Sequence, residues 1–573
     1  MASTRILLTK CASARNLTRL KVLERSSIPV KLYSSSSENN IVRSRFPDVD
    51  IPDVSLSHYM LDSFSKYGER VAMVNTTNGQ EWTFDKLCIS IKRVASALTK
   101  AGVAQGDVVT LFSPNCPEFL VTMLAANACG AICSPLNPLY TTGELTHATG
   151  FADAKAVVTT PELVPVVKET CKTVSSIKSI ITVGTAEGCR PFSDLLQDDG
   201  TAFNENINFS PKTDISILPF SSGTTGLPKG VMLSHHNLVA NIQQISSPNF
   251  GEWTTDDVFL GLLPFFHIYG LTVVLLLGLK QGIKIVTLPK FQPESFLTAA
   301  QDYKATYMHN VPPTVIFLAK HPLVEKFKFD ALNNMFVAAA PLTDTIAREA
   351  LDRMGRPNLD IRQAYGMTES SPITHVTPPR SNNIRPIGQV VNTSQGKIID
   401  VSTGESLGPN QEGEICSKGP QIMVGYLKNP KATADTVDQD GWLHSGDIGY
   451  YDEEGFFYVT DRLKELIKCK GYQVAPAELE SVLLRHPAVE DAAVIGVEDE
   501  RAGEVPRAYV RRKQGSKVSE EDIAQFVKGQ VANYKQLSGG VQFRSEIPKS
   551  AAGKILRRIL RDEYKAESSN KKS

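Results

Sequence analysis

What this 573-residue chain lacks narrows its chemistry first. It carries no surplus of either charge, 61 Lys+Arg standing against 61 Asp+Glu. That leaves no basic field for nucleic acid and no acidic tail. No stretch reaches the ~18–20 apolar residues that a membrane span needs; the longest candidate, residues 271–279, is too short and reads as core. The nine cysteines are scattered, with no C-x-x-C pair and no Cys/His set at zinc spacing. Sparse, unpaired cysteines imply reduced, buried thiols and argue against structural zinc. Gly and Pro are ordinary in number, which excludes collagen-like and low-complexity chains.

What is present is a hydrophobic fraction of 42% beside 21% charged residues, enough for a real core and against global disorder. At ~100–200 residues per domain, the length predicts several lobes. Residues 1–40 differ from the rest. Through Tyr33 they hold seven basic residues and one acid, Glu24, and a Ser34–Ser37 run follows. Arg-rich, Ser-rich and acid-poor is the makeup of a mitochondrial transit peptide. The other reading is a disordered arm without targeting function. The chain ends Lys571-Lys572-Ser573, which is not the S-K-L peroxisomal address. The expected location is therefore mitochondrial, with cytoplasm or peroxisome as alternatives.

From about residue 50, helix and strand patterns alternate: helical spacing over 59–64, 87–98 and 118–131, strands over 108–112, 156–159 and 180–183. The alternation recurs in strands at 215–220, 258–263, 284–288 and 306–309, each followed by a loop and a helical stretch. This predicts an α/β fold of layered, mostly parallel sheets. The pattern changes near Asp461. Beyond it come a helix over 476–485, a strand over 491–497 and a helix over 520–533 begun by Ser519 with Asp522 three residues on. The expected organisation is a large region over 41–463, a smaller mobile α+β domain over 464–565 and a solvated tail over 566–573.

The strongest local signal is Ser221-Ser222-Gly223-Thr224-Thr225-Gly226-Leu227-Pro228-Lys229-Gly230, directly after the 215–220 strand. Glycines let backbone N–H groups approach phosphate oxygens, hydroxyls add donors and the lysine adds charge. It is not a Walker A loop, because Lys229 is preceded by Pro228 and followed by Gly230.

This decapeptide resembles the signature of the acyl-adenylate-forming (AMP-binding) superfamily, and further motifs follow in order over roughly residues 50–565. They are Pro264-Phe265-Phe266-His267-Ile268-Tyr269-Gly270, Gln363-Ala364-Tyr365-Gly366-Met367-Thr368-Glu369, His444-Ser445-Gly446-Asp447, the 461–468 segment, Lys470-Gly471-Tyr472-Gln473, and the 548–554 segment ending in Lys554. The nearest likeness is to the 4-coumarate–CoA ligase-like branch of acyl-CoA synthetases. The resemblance implies an acid–thiol ligase that uses ATP, Mg2+ and coenzyme A, forms an acyl-AMP and passes the acyl group to coenzyme A sulfur. It also implies a small-molecule carboxylic acid as substrate. A luciferase-like oxygenase and a stand-alone adenylation enzyme loading a carrier protein are the alternatives.

The resemblance also assigns roles. Ser221, Ser222, Gly223, Thr224, Thr225, Gly226 and Lys229 would hold the β- and γ-phosphates. Thr368 would bond the α-phosphate and Glu369 would help hold Mg2+ as a hard oxygen ligand. Gln363, Ala364, Tyr365 and Gly366 would border the nucleotide, and Asp447 with Arg462 would take the ribose hydroxyls. His267 would sit where carboxylate and adenylate meet. Lys554 would bridge the attacking carboxylate and the α-phosphate, offsetting their charge. Lys464 would be the hinge about which the small domain swings, exchanging Lys554 for Lys470 and Gly471, which face coenzyme A. Lys468 and Gln473 would contact the adenylate, and Lys290 coenzyme A. Tyr269, Met308–Val311, Ala339, Ala340, Pro341 and Gln363–Ala364 would line the acid pocket. Ala364 stands where many aryl-acid ligases have Gly, and Ser370-Ser371 replaces a smaller pair. Both departures weigh against hydroxycinnamates without removing them, and the expected substrate is an aryl (4-coumarate-like) acid or, equally, a medium-chain fatty or small aryl acid.

Overall fold

A computed structural model describes residues 40–221, 228–248, 250–340, 342–381, 383–463, 465–469, 472–499, 502–531, 533–549 and 555–572. The N-terminal arm, residues 222–227 of the glycine-rich segment, Pro341, Lys464, Lys470, Gly471 and Lys554 lie outside the described residues, as do the side chains of Arg462, Lys468 and Gln473.

Two nine-stranded sheets form the frame. In one, Val108–Phe112 lies centrally, parallel to Ile132–Leu136 and to Ala154–Thr159. In the other, Val258–Gly261, Lys284–Thr287, Tyr307–Asn310, Asn334–Val337 and Asp360–Gly366 run parallel to one another. The antiparallel pairs of both sheets lie at their edges, so the expectation of mostly parallel layers holds for the strands that carry the core.

Side-chain alternation divides each sheet into two faces. Val109 and Leu111 point into the main core with Phe259, Ile285, Tyr307 and Phe336 of the other sheet, whereas Phe112 joins a separate outer cluster. The layer between the sheets is helical: Phe84–Lys100, Pro117–Ala128, His235–Ser246 and a π-helix over Tyr269–Leu276. Every residue of the π-helix is buried, as expected of a helix that is apolar all round. The outer face of the second sheet is covered by Pro293–Asp302, Pro312–Lys320 and Asp344–Arg353 through a second core that contains Met308 and Met335. No helix among the described residues is long and apolar enough to cross a membrane.

A six-stranded antiparallel sheet includes Gln395–Ile399, Gly413–Lys418, Leu443–Tyr451 and Phe457–Arg462. Beyond it, a five-stranded sheet and its helices share a core confined to residues 467–560. The Ser519–Asp522 capping box forms as expected, but its helix, Glu520–Lys528, stops five residues short of the expected end. Arg557, its side chain 10% exposed, lies between the buried Glu465 and Glu480, and Arg557 Nη2 reaches Glu480 Oε2 at 2.7 Å. The expected tail is instead the last turns of a helix, Arg557–Lys572. Leu560 and Tyr564, four apart, anchor this helix on the small core, and helix propagation carries the polar end with them.

Candidate active site

The glycine-rich segment joins strand Phe220–Ser221 to strand Lys229–Ser234, with Ser221 opposite Lys229 in an antiparallel ladder. It is therefore the loop of a hairpin rather than a strand-to-helix turn; the helix His235–Ser246 comes one strand later. The expected strand over 215–220 breaks after Ile217, since Pro219 offers no N–H to a ladder.

Lys229 Nζ sits 4.6 Å from the centroid of the Tyr426 ring, a cation–π placement. The Tyr426 hydroxyl donates to Glu369 Oε1 at 2.7 Å, and Met423 N–H donates to the Glu369 carbonyl at 2.8 Å. Burial first, then the Glu369 carboxylate, pushes the Tyr426 phenol upward, so it remains a proton donor at neutral pH. Glycine-rich hairpin and acidic motif are thus tied by a residue that sequence reasoning passed over. A single Tyr in Gly425-Tyr426 carries no signal before the chain folds.

Glu369 lies in a short 3-10 turn, Thr368–Ser370, just after the strand Asp360–Gly366. Gly366 permits that turn to close, because a Cβ there would lie 1.8 Å from the Pro372 carbonyl oxygen. Ser370 is fully buried and its Oγ accepts from Met367 N–H at 3.1 Å. It stabilises the turn, so its presence says nothing about the acid pocket. On the same strand the Tyr365 hydroxyl donates to Asp447 Oδ2 at 2.7 Å, and Asp447 is in ladder register with Arg462. The Gln363 side-chain amide donates to the Ile384 carbonyl, which commits it to a backbone loop.

His267 Nδ1 faces Tyr269 N–H at 3.4 Å, at the start of the π-helix. Lys290, Ala339 and Ala340 follow the carboxyl ends of parallel strands, the edge at which open α/β sheets take ligands. Lys290 and Ala339 are exposed, and Ala339 holds a φ of 75°, a left-handed backbone that an L-residue adopts only under strain. Lys468 and Gln473 are opposite one another in the hairpin Ile467–Cys469/Tyr472–Val474.

One expectation needs correction. Met308 belongs to the outer core with Val315 and Leu318, whereas Tyr269 belongs to the inner one. The two side chains are on opposite faces of the sheet, so Met308 does not share a pocket with Tyr269. Its neighbour His309 lies on the Tyr269 side, since strand alternation turns it inward. The His309 ring stacks on Phe336 at 5.4 Å and meets Tyr269 edge-on at 6.0 Å. Burial lowers its pKa to about 3. Both ring nitrogens of His309, and the Tyr269 hydroxyl, are buried without a hydrogen-bond partner among the described residues.

Residues 61–427 match the AMP-binding enzyme family, and residues 478–554 match the AMP-binding enzyme C-terminal domain. The chain belongs to this family. It is 40% identical over 534 residues to probable 4-coumarate–CoA ligase 1 of Dictyostelium discoideum, covering 91% of this chain and 97% of the relative. It is also 40% identical over 552 residues to 4-coumarate–CoA ligase 1 of Arabidopsis thaliana, covering 94% and 97%. Among solved structures, ATP-bound MatB from Rhodopseudomonas palustris superposes with a TM-score of 0.81 at 28% identity, over 89% of this chain and 99% of that one. This AMP-binding enzyme is an AMP-forming acid–CoA ligase with an ATP-dependent adenylating step.

Among the described residues of this AMP-binding enzyme, Glu414, Cys416 and His444 are a His/Cys/carboxylate group whose candidate ligand atoms lie within 4.8 Å of one another. Sequence spacing missed it, because the residues come from two strands that pair only in the folded chain. Its internal bonds, described below, give these atoms another use.

Proposed function

We propose that this ligase activates an aromatic carboxylic acid bearing a hydrogen-bonding group at the end remote from its carboxylate. A carboxylate oxygen attacks the α-phosphorus of ATP; the new C–O–P link forms as the bond to pyrophosphate breaks. Coenzyme A sulfur, after losing its proton, then attacks the acyl carbon, and the C–O bond to AMP breaks. The single observation supporting the acid class is the trio of unpartnered buried polar atoms on His309 and Tyr269. A buried donor or acceptor left unpaired costs about 1–3 kcal/mol, which a substrate hydroxyl would recover and an alkyl chain would not.

Within this reading Lys229, with the glycine-rich hairpin, receives the pyrophosphate charge; Thr368 faces the α-phosphate, and Asp447 takes the ribose. Lys554 neutralises the crowded anions during adenylation, and rotation at Lys464 then brings Lys470 and Gly471 to coenzyme A. Glu369, a buried carboxylate with one oxygen on the Tyr426 hydroxyl, together with the hydroxyl-rich hairpin, is an oxygen-donor set that suits Mg2+. Bound there, Mg2+ would supply charge neutralisation on the phosphates. The N-terminal arm directs the enzyme to mitochondria, which a reporter fused to residues 1–40 tests by its location.

The test of the acid class is a set of acids matched in length: 4-coumarate, cinnamate and octanoate, with ATP and coenzyme A, following acyl-AMP and acyl-CoA by mass spectrometry. The hydroxylated acid should exceed its unsubstituted partner by about 10–200-fold in kcat/KM, the range of ~1–3 kcal/mol. Equal or better use of cinnamate or octanoate would refute the acid class, and absence of acyl-AMP with every acid would refute the site assignment.

A further inference from the structure

The strand that carries Asp447 is not regular. Glu414 pairs with Ile448, but Cys416 pairs with His444, so three residues, Ser445, Gly446 and Asp447, stand opposite the single residue Ile415. Such a bulge bends a strand and re-aims a side chain. Gly446 takes φ +69° within it, and its N–H leaves the ladder.

A buried carboxylate fills the gap. Glu414 Oε1 accepts from Gly446 N–H at 2.9 Å, and Glu414 Oε2 lies 3.0 Å from His444 Nδ1. Asp438 Oδ2 lies 3.4 Å from the other ring nitrogen, and Cys416 Sγ is 3.7 Å from Nδ1. Ser445 Oγ donates to the Ile415 carbonyl at 2.6 Å and accepts from Asp447 N–H at 3.0 Å. The Gly446 and Asp447 N–H groups and the Ile415 carbonyl, which the bulge takes out of the ladder, are thus each given a side-chain partner, as buried polar groups require. Contact with Cys416 and the Glu414 carboxylate pushes the His444 pKa up to about 10, which keeps the imidazolium between its two acids.

The geometry points to Glu414 as a positioning residue for nucleotide recognition: it clamps the Gly446 bulge through one oxygen and His444 through the other, and so holds Asp447 where its carboxylate meets both the Tyr365 hydroxyl and the ribose of ATP. The inference rests on Asp447 being the ribose contact. Glu414 acts through Asp447 and touches no substrate.

A double-mutant cycle separates this role from general support of the fold. Glu414→Ala should raise the Kd for ATP, measured by titration calorimetry, and lower kcat/KM for ATP by about 10–100-fold, with KM for the acid unchanged. In an Asp447→Ala background the same substitution should change either quantity less than about twofold, because residues acting as one unit are not additive. Glu414→Gln, whose amide oxygen can still accept from Gly446 N–H, should restore part of the loss. Equal factors in both backgrounds would overturn the inference. So would tight zinc binding to the wild type that His444→Gln abolishes, since the cluster would then be a metal site. If Asp447→Ala alone leaves ATP affinity unchanged, the ribose assignment itself fails. Should Glu414→Ala not fold, His444→Gln runs the same cycle with the same expected non-additivity.

Discussion

Replacing His309 by Leu gives a test whose sign runs against ordinary expectation for a core substitution. Burial holds the ring neutral at working pH, so it presents one N–H donor and one acceptor nitrogen. Neither has a partner among the described residues. At ~1–3 kcal/mol for each unpaired atom, removing both gains about 2–6 kcal/mol. Against this stand the lost ring contacts with Phe336, Phe259 and Tyr269, each ~0.5–1.5 kcal/mol, or about 1.5–4.5 kcal/mol together. At the midpoints of the two ranges, about 4 against about 3 kcal/mol, the balance is a stabilisation on the order of 1 kcal/mol without ligand. In a chain of this size that corresponds to a rise in Tm of roughly 1 °C, readable by scanning fluorimetry. The same change should erase the preference for 4-coumarate over cinnamate in kcat/KM while leaving use of cinnamate within a few-fold. A variant that melts well below wild type would show that His309 is already satisfied, and an unchanged preference would show that it does not face the acid.

Tyr426→Phe keeps the ring beneath Lys229 but removes the hydroxyl from Glu369; loss of a bond to a charged group, ~1.5–3 kcal/mol, should raise KM for MgATP about tenfold or more, and unchanged KM in a magnesium titration would refute the link. Three buried histidines have lowered pKa values: His235 to about 4, His309 and His375 to about 3. At these three sites the unfolded chain takes up protons below pH ~6.5 that the folded chain refuses, so their contribution is complete above that pH and falls by up to about 4 kcal/mol at pH 5.5. His444, with its pKa raised to about 10, works in the opposite sense and offsets at most about 1 kcal/mol of that loss. A Tm that stays level from pH 7 to pH 5 would contradict this, and His309→Leu should reduce the slope by about a third. Lys554→Ala should lower adenylation about 10²–10³-fold and spare thioester formation from supplied acyl-AMP; equal loss in both half-reactions would remove Lys554 from its assigned place.

The parts of the site that were legible in the sequence are contiguous ones. Ser221 through Gly230, Gln363 through Glu369 and His444 through Asp447 each put several functional residue types into one short segment, and order along the chain was enough to recognise them. The strand-and-helix alternation of the two large sheets was legible for the same local reason. The partners of those motifs were not. Tyr426 meets Glu369 across 57 positions of sequence, and Glu414 reaches Gly446 only because a bulge brings two strands into a particular register. Met308 and His309 show the limit most clearly. Alternation says that they face opposite sides, but which side holds the acid is decided by the layer packed on each face. The helical end at Lys572 was missed because its polar composition reads as tail, while Leu560 and Tyr564 upstream settle its conformation.

The clamp of Arg557 on two buried carboxylates has a mechanical consequence. Pulling its guanidinium from Glu465 or Glu480 would strand charge in a dry interior, at about 3–5 kcal/mol, so the three side chains must travel as one piece. Glu465 immediately follows Lys464. Any pivot that reorients the smaller lobe is therefore confined to the backbone before Glu465, and the terminal helix turns with it like a handle fixed to a door.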